Sequence, residues 1–192
     1  MFNLPPNGMS TAAAAVEVGM TERTGIITIH GNPLTLVGEE IKVGQTAPDC
    51  ELLDNDLNPV KLSQWRGKVV VLTSVPSLDT PVCDLETRRF NDEAASFGSD
   101  VEMVTVSMDL PFAQKRWCGA AGVQRLKTLS DHRQAAFGQA FGVLIKELRL
   151  LARAVFILDR QGVVQYTQLV QEVTNEPDYE AVIQALQKIV GP

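Results

Sequence analysis

Cysteine is scarce in this chain, with only three among 192 residues. A small and odd number of cysteines argues against a scaffold held together by many disulfides. It is typical of a reducing cytoplasm, where a disulfide that does form is usually transient and catalytic. We therefore expect a cytoplasmic protein in which any disulfide takes part in chemistry.

An excess of positive charge and long apolar runs are also lacking. Lys and Arg total 17 against 23 Asp and Glu, which gives a formal net charge of −6 and a pI near 4.9. This balance argues against nucleic acid as the partner. No window approaches the roughly 18–20 unbroken apolar residues of a membrane helix, so no membrane is expected. The two histidines, His30 and His132, have no close Cys/His spacing around them, and no metal site is predicted.

The N-terminus lacks a basic residue before Arg23, and its short alanine run is interrupted nearby by Glu17. This pattern does not fit a secretory signal, so we interpret residues 1–22 as a poorly ordered leader. The remaining residues, 23–192, are expected to form one domain, because the 45% hydrophobic content suits a single sizeable core.

Strand and helix patterns alternate through the middle of the chain. The apolar run "VVVLTSV", Val69–Val75, predicts a strand buried on both faces. Thr80 as N-cap and Pro81 at the first position predict a helix that ends before Gly98. Its buried face is expected to contain Val82, Leu85, Phe90, Ala94 and Phe97. Other predicted elements are a helical turn near Ser63–Trp65, a strand over Val101–Ser107, a helix from Pro111 toward Gly122, the short strand "LKTLS", and a helix "RQAAFGQAFG" that ends at Gly142.

Hairpin patterns flank this alternating region. Gly25–Gly38 and the stretch around Asp159–Gly162 each predict two strands joined by a tight turn, and an amphipathic helix is expected from Pro177. Together the elements predict an α/β fold of thioredoxin type, in which helices flank a mixed central sheet and an N-terminal β-hairpin is added.

Cys83 stands among acids, with Asp79, Asp84 and Glu86 close to it in sequence. A cysteine is nucleophilic as the thiolate, and nearby carboxylates disfavour that anion. The start of a helix has the opposite effect, because its free N–H groups and dipole favour an anion. We interpret Asp84 and Glu86 as helix-start carboxylates, whose side chains can point away from the sulfur.

Thiolate formation alone would not make such a cysteine a fast nucleophile. Lowering the pKa of a thiol increases its thiolate fraction but makes the thiolate less nucleophilic. If the Brønsted slope of disulfide exchange applies, the reaction rate rises only about a few-fold. If the substrate is a peroxide, a fast reaction also needs donors aimed at its oxygen atoms as the O–O bond breaks. Thr80 lies three residues before Cys83, on the same helix face, and is one such donor.

Four segments carry a resemblance to the peroxiredoxins. "PSLDTPVC", Pro76–Cys83, fits the family pattern Pro-x-x-x-Thr-x-x-Cys. "DLPFAQKRWCGA" (Asp109–Ala120), "LLARAVFILD" (Leu150–Asp159) and "TNEPDY" (Thr174–Tyr179) resemble signatures of the thiol peroxidase subfamily. The resemblance extends over about residues 25–188, in order and without large gaps.

The resemblance implies a role for each matching residue. Cys83 is expected to be the peroxidatic cysteine, which hydroperoxide oxidises to sulfenic acid. Pro76 would shield that sulfenate, and Thr80 and Arg153 would position and polarise the peroxide. Cys118 matches the resolving cysteine, which condenses with Cys83 within one subunit. Disulfide geometry requires close Cα atoms, so we expect two helices to unwind locally.

The resemblance also implies an atypical two-cysteine peroxiredoxin that reduces hydrogen peroxide and organic hydroperoxides without metal, haem or flavin. Thioredoxin would recycle the disulfide, and the protein would form homodimers. Two rivals stay open. A thiol-disulfide oxidoreductase usually has Cys-x-x-Cys, whereas Thr80 occupies the partner position here. A non-catalytic peroxide sensor could keep the same residues. Cys50 has no assigned role and is expected to be structural.

Overall fold

The structure is a computed structural model that describes residues 20–191. Most of the predicted leader, residues 1–19, lies outside the described residues. The first strand begins at Glu22, inside the segment that the sequence analysis assigned to the leader.

The helices and strands follow the predicted alternation. The helices are α1 (Pro81–Phe97), α2 (Pro111–Ala121), α3 (Ala136–Ala140) and α4 (Tyr179–Val190). The strands are β1 (Glu22–Ile29), β2 (Asn32–Val37), β3 (Glu51–Leu53), β4 (Pro59–Lys61), β5 (Val69–Ser74), β6 (Val101–Ser107), β7 (Lys127–Ser130), β8 (Leu144–Ile145), β9 (Leu150–Leu151), β10 (Ala154–Leu158) and β11 (Val164–Leu169). A 3₁₀ turn at Leu62–Trp65 matches the predicted helical turn.

The central sheet is mixed and has the strand order β11-β10-β5-β6-β7-β3-β4. Strands β5, β6 and β7 are parallel, whereas β10 runs antiparallel to β5. The N-terminal hairpin β1–β2 belongs to a second sheet with the order β1-β2-β8-β9. His30 and Gly31, at its turn, both have positive φ, as a type I′ hairpin turn requires. The predicted thioredoxin fold with an N-terminal hairpin is thus confirmed.

Strand β5 is buried on both faces, as its unbroken apolar run predicts. Val70 and Leu72 pack into an apolar cluster with the second sheet, while Val69 and Val71 pack into another with α1, α2 and α4. Cys83 belongs to the latter cluster. Successive side chains of β5 therefore point to opposite faces of the sheet, and α1, which contains Cys83, packs on the face of Val69 and Val71.

Three details of the predicted elements are wrong. The last helix begins at Tyr179 and not at Pro177, because Asp178 is its N-cap and accepts a hydrogen bond from the Ala181 N–H (3.0 Å). The helix predicted in "RQAAFGQAFG" covers only Ala136–Ala140. The short strands β8 and β9 were missed, since strands of two residues leave no periodic pattern.

The buried face of α1 also differs from the prediction. Leu85 was expected on the core face, but 51% of its surface is exposed. The residues of α1 that are buried are Cys83, Glu86, Thr87 and Phe90. Phe90 is buried as predicted, but a thiol and a carboxylate lie beside it on the buried face in place of Leu85.

Candidate active site

Cys83 lies in the first turn of α1, directly after the loop that follows β5. It is the third residue of the helix, and its side chain is fully buried. Pro81 at the first helical position starts α1, because a proline there gives up only an N–H that has no partner inside the helix. The sulfur therefore lies at the end of α1 where the helix dipole favours an anion.

The Thr80 hydroxyl lies 2.8 Å from the Cys83 sulfur, as their i, i+3 spacing predicts. The same hydroxyl is 3.0 Å from the Ser77 carbonyl oxygen. Thr80 occupies the N-cap position, but within the described residues its side chain caps no backbone N–H of α1. Its single proton can therefore be donated to Ser77 or to the sulfur. A thiolate is the acceptor that attracts this proton more strongly.

Arg153 precedes β10, the strand that pairs with β5, and reaches the same sulfur. Its Nη2 is 3.4 Å from Cys83 Sγ, although the two residues are 70 positions apart in sequence. Ala154 pairs with Ser74 in the antiparallel register of β10 and β5, which brings the start of β10 beside the end of β5. The sheet register therefore determines that this arginine meets this cysteine.

Each of the three guanidinium nitrogens of Arg153 has a partner. The guanidinium donates to the Val173 carbonyl oxygen from Nε (3.3 Å) and from Nη2 (3.2 Å), and Nη1 pairs with the Glu86 carboxylate. Both members of this ion pair are almost completely buried. An arginine fork held in this way has little freedom, so its contact with the sulfur is preorganised.

Glu86 also belongs to the site, although the sequence pattern did not predict it there. The interpretation of Glu86 as a helix-start carboxylate that can point away from the sulfur is wrong, because its side chain is buried against Arg153. A signal was present: Glu86 is three residues after Cys83 and shares its helix face, just as Thr80 does. Arg153, a lone cation among apolar residues, also required an anion.

Burial raises the pKa of Glu86 to about 7, although Arg153 beside it acts to lower that pKa. The negative charge of Glu176 adds to the rise. One carboxylate oxygen, Oε1, has no hydrogen-bond partner among the described residues, so the charge is only partly compensated. Burial would lower the pKa of Arg153, but Glu86 and Cys83 together hold that pKa above its usual value. Arg153 thus stays a cation beside the sulfur.

The raised pKa of Glu86 predicts how stability depends on pH. A group whose pKa is higher in the folded state stabilises the fold below its unfolded pKa and loses that contribution as pH rises through the folded value. Between about pH 4.5 and about pH 7, the wild-type free energy of unfolding should therefore fall relative to that of Glu86→Gln. Urea unfolding of both proteins across this range measures the difference. Parallel pH curves would contradict the assignment.

Asp109 holds the loop between β5 and α1. Its carboxylate accepts hydrogen bonds from the Ser77 hydroxyl (2.7 Å) and from the Leu78 N–H (2.8 Å). The Ser107 hydroxyl, at the end of β6, donates to it as well (2.8 Å). Pro76, the second residue of this loop, is buried. The segment before Cys83 is thus fixed to the neighbouring parallel strand, a contact that the sequence does not reveal.

Cys118 lies in α2 and is only partly buried. Its sulfur is 3.3 Å from the Thr128 hydroxyl on β7 and 3.9 Å from the Asn55 side-chain nitrogen. Neither contact is shared with Cys83, whose sulfur faces Thr80 and Arg153, and both cysteines are free thiols. The two sulfurs thus have separate surroundings in this state.

Cys50 is buried away from these groups. Burial raises the pKa of its thiol to about 12, and the charges of Asp131 and Asp49 add to this. Such a thiol does not ionise near neutral pH, which agrees with a structural role. Within residues 20–191, no group of His, Cys, Asp and Glu is arranged to hold a metal ion, and no helix is long and apolar enough to cross a membrane.

A fully buried cysteine at a helix start, with a threonine hydroxyl and an arginine on its sulfur, is the arrangement that the sequence resemblance implies for Cys83. The redoxin family pattern matches residues 42–183. The chain is 56% identical to the thiol peroxidase of Bacillus subtilis (strain 168) over 164 residues, which cover 85% of this chain and 98% of that protein. The thiol peroxidase of Halalkalibacterium halodurans is 57% identical over 159 residues, 83% of this chain and 95% of that protein.

A solved structure agrees with these relatives. The crystal structure of a peroxiredoxin-like protein from Aquifex aeolicus superimposes with a TM-score of 0.81 at 44% identity, covering 88% of this chain and 98% of that one. The chain therefore belongs to the thiol peroxidase family of the redoxins.

Proposed function

We propose that this protein is a thioredoxin-dependent thiol peroxidase that reduces hydrogen peroxide and organic hydroperoxides. The observation that carries the proposal is the arrangement around the buried Cys83 sulfur, with the Thr80 hydroxyl at 2.8 Å and the Arg153 guanidinium at 3.4 Å. Both groups are donors, and one is a permanent cation. They face the point where a peroxide oxygen meets the sulfur, which is where charge develops in the reaction.

In the first step Cys83 acts as the nucleophile. Its thiolate attacks one peroxide oxygen, the O–O bond breaks, and the leaving alkoxide or hydroxide takes up a proton to give alcohol or water. The sulfur is oxidised to sulfenic acid, and the peroxide is reduced. Thr80 and Arg153 donate to the oxygens as negative charge moves onto the leaving group. Pro76, buried at the start of the loop, shields the sulfenic acid from solvent.

In the second step Cys118 acts as the resolving cysteine. Its thiol attacks the Cys83 sulfenic acid, an S–S bond forms as the S–O bond breaks, and the hydroxyl leaves as water with the Cys118 proton. The separate surroundings of the two sulfurs support local unwinding of α1 and α2 before this step. Thioredoxin then returns the disulfide to two thiols. We place this antioxidant cycle in a homodimer in the cytoplasm.

The resolving role of Cys118 is tested by Cys118→Ser. This variant should consume about one equivalent of peroxide and then stop, because its sulfenic acid has no intramolecular thiol to condense with. The wild type should turn over continuously when thioredoxin and thioredoxin reductase are supplied. Full thioredoxin-coupled turnover by Cys118→Ser would remove Cys118 from the cycle.

Intact mass under non-reducing conditions identifies the disulfide. After one equivalent of peroxide, the wild type should lose two hydrogens within a single chain, and Cys118→Ser should gain one oxygen instead. A doubled mass would show an intermolecular disulfide and would overturn the intrasubunit assignment. A slow first step, with a normal disulfide, would favour a peroxide sensor over an enzyme.

A further inference from the structure

Three polar side chains on one face of α1 hold the segment that contains Cys118. Asp84, Arg88 and Asn91 are spaced four and three residues apart, so they lie along one face of the helix. This face adjoins the buried face that contains Cys83. We name these three residues the α1 stripe.

Each member of the α1 stripe contacts a different part of α2 or of the turn after it. The indole N–H of Trp117 donates to Asp84 Oδ1 (2.9 Å), and Arg88 Nη1 donates to the Ala121 carbonyl oxygen (2.8 Å). Asn91 Oδ1 accepts from the backbone N–H groups of Gln124 (3.2 Å) and Arg125 (3.0 Å). The stripe therefore spans the C-terminal half of α2 and the chain that follows it.

The stripe is also connected internally, so its contacts are coupled. Arg88 pairs with Asp84 across one helical turn (2.9 Å), and its guanidinium lies 5.8 Å from the centre of the Trp117 ring. Trp117 itself is buried in the cluster that also contains Cys83. Releasing Trp117 would break a charge-assisted hydrogen bond and expose an aromatic ring together.

The first of these contacts joins the neighbours of the two functional cysteines. Asp84 directly follows Cys83, and Trp117 directly precedes Cys118. The Cys118 sulfur faces Thr128 in this state, so it must leave that position before it can reach Cys83. Because Trp117 is the preceding residue, such a movement of Cys118 displaces Trp117 and strains its hydrogen bond to Asp84.

We propose that the α1 stripe restrains the departure of Cys118 from α2 and so limits the rate of disulfide formation. The inference rests on the proposed function. Asp84, Arg88 and Asn91 act as positioning residues, through the helix that they hold, and take no part in the reaction with peroxide. A tighter stripe gives the Cys83 sulfenic acid a longer lifetime, in which a second peroxide can oxidise it to sulfinic acid.

The test compares Trp117→Phe with the wild type. Phenylalanine keeps an aromatic ring in the cluster but removes the indole N–H. Disulfide formation should become about three- to tenfold faster, because a hydrogen bond to a charged group is lost from the state that must open. The first step should change by less than about twofold, since the contacts of Cys83 with Thr80 and Arg153 are unaltered. Quenched single-turnover samples, alkylated and weighed by mass spectrometry, report both steps separately.

A double-mutant cycle distinguishes this hydrogen bond from a general loss of packing. Asp84→Ala should also accelerate disulfide formation, and the double variant Asp84→Ala with Trp117→Phe should be no faster than Asp84→Ala alone. Glu22→Gln serves as the control, since it breaks an exposed pair with Lys146 at the N-terminal hairpin and should leave both steps unchanged.

Asn91 supplies an independent test if Trp117→Phe folds poorly. Asn91→Ala removes the acceptor for two backbone N–H groups and should accelerate disulfide formation about two- to threefold, whereas Asn91→Asp keeps the acceptor and should restore the wild-type rate. The faster variants should also survive higher peroxide concentrations before sulfinic acid forms.

The outcomes separate the two proposals. Unchanged or slower disulfide formation in Trp117→Phe and Asn91→Ala, with a normal first step, overturns the restraining role and leaves the peroxidase assignment intact. If the wild type forms no sulfenic acid with peroxide, the proposed function itself is wrong.

Discussion

Replacing Cys83 with serine is expected to abolish peroxide turnover. A serine hydroxyl stays protonated near neutral pH and is a poor nucleophile without an adjacent general base. The groups that face position 83 are Thr80 and Arg153, which are donors to the sulfur and not bases. Thioredoxin-coupled turnover of Cys83→Ser should therefore fall to the rate of the assay without enzyme.

Cys50→Ala is the matched control for this loss. Cys50 is also buried, but its raised pKa keeps the thiol protonated, and its surroundings include carboxylates instead of a cation. Its removal should lower stability by about 1 kcal/mol through lost packing and leave turnover within about twofold of the wild type. Substantial turnover by Cys83→Ser, or its loss in Cys50→Ala, would move the peroxidatic role away from Cys83.

Replacing Arg153 with lysine is expected to lower kcat/KM for peroxide by about 10²–10³-fold, the loss typical of one preorganised donor. Lysine keeps the charge but lacks the planar fork. A single ammonium cannot hold Glu86 and the Val173 carbonyl oxygen and still reach the Cys83 sulfur. Stopped-flow measurement of sulfenic acid formation isolates the affected step, and a rate within about threefold of the wild type would contradict the role.

A second variant separates the chemistry of Arg153 from its effect on folding. Arg153→Met alone leaves Glu86 as a buried, unpaired acid, which commonly costs about 3–5 kcal/mol of stability. The double variant Arg153→Met with Glu86→Gln removes both charges and should recover most of that stability. It should nevertheless remain as slow toward peroxide as Arg153→Met. Recovery of the rate together with stability would show that Arg153 acts only by supporting the fold.

The local features of the site could be predicted from the sequence. Proline at the first helical position and the three-residue spacing of Thr80 and Cys83 fix a helix start with both side chains on one face. The strand β5 could be predicted because its apolar run is unbroken, which is typical of a strand covered on both sides. In each case the controlling interactions lie within a few residues along the chain.

The contacts between distant segments could not be predicted in the same way, and Arg153 was expected near Cys83 only through the resemblance to the peroxiredoxins. Glu86 was misassigned to the helix dipole because a carboxylate in an early helical turn already has a sufficient local explanation. Asp109 and the α1 stripe were missed because their partners come from another strand or helix. Periodicity identifies an exposed or buried face but does not say which element will cover it.

What the sequence determined is therefore a cysteine at a helix start, the threonine beside it and the type of fold. The tertiary structure decided that Arg153, paired with Glu86, faces the Cys83 sulfur and that Cys118 lies apart from it, beside Thr128. The physical reason is the sheet register. Pairing of Ala154 with Ser74 brings Arg153 to Cys83 across 70 residues of chain, and only the folded sheet produces that pairing.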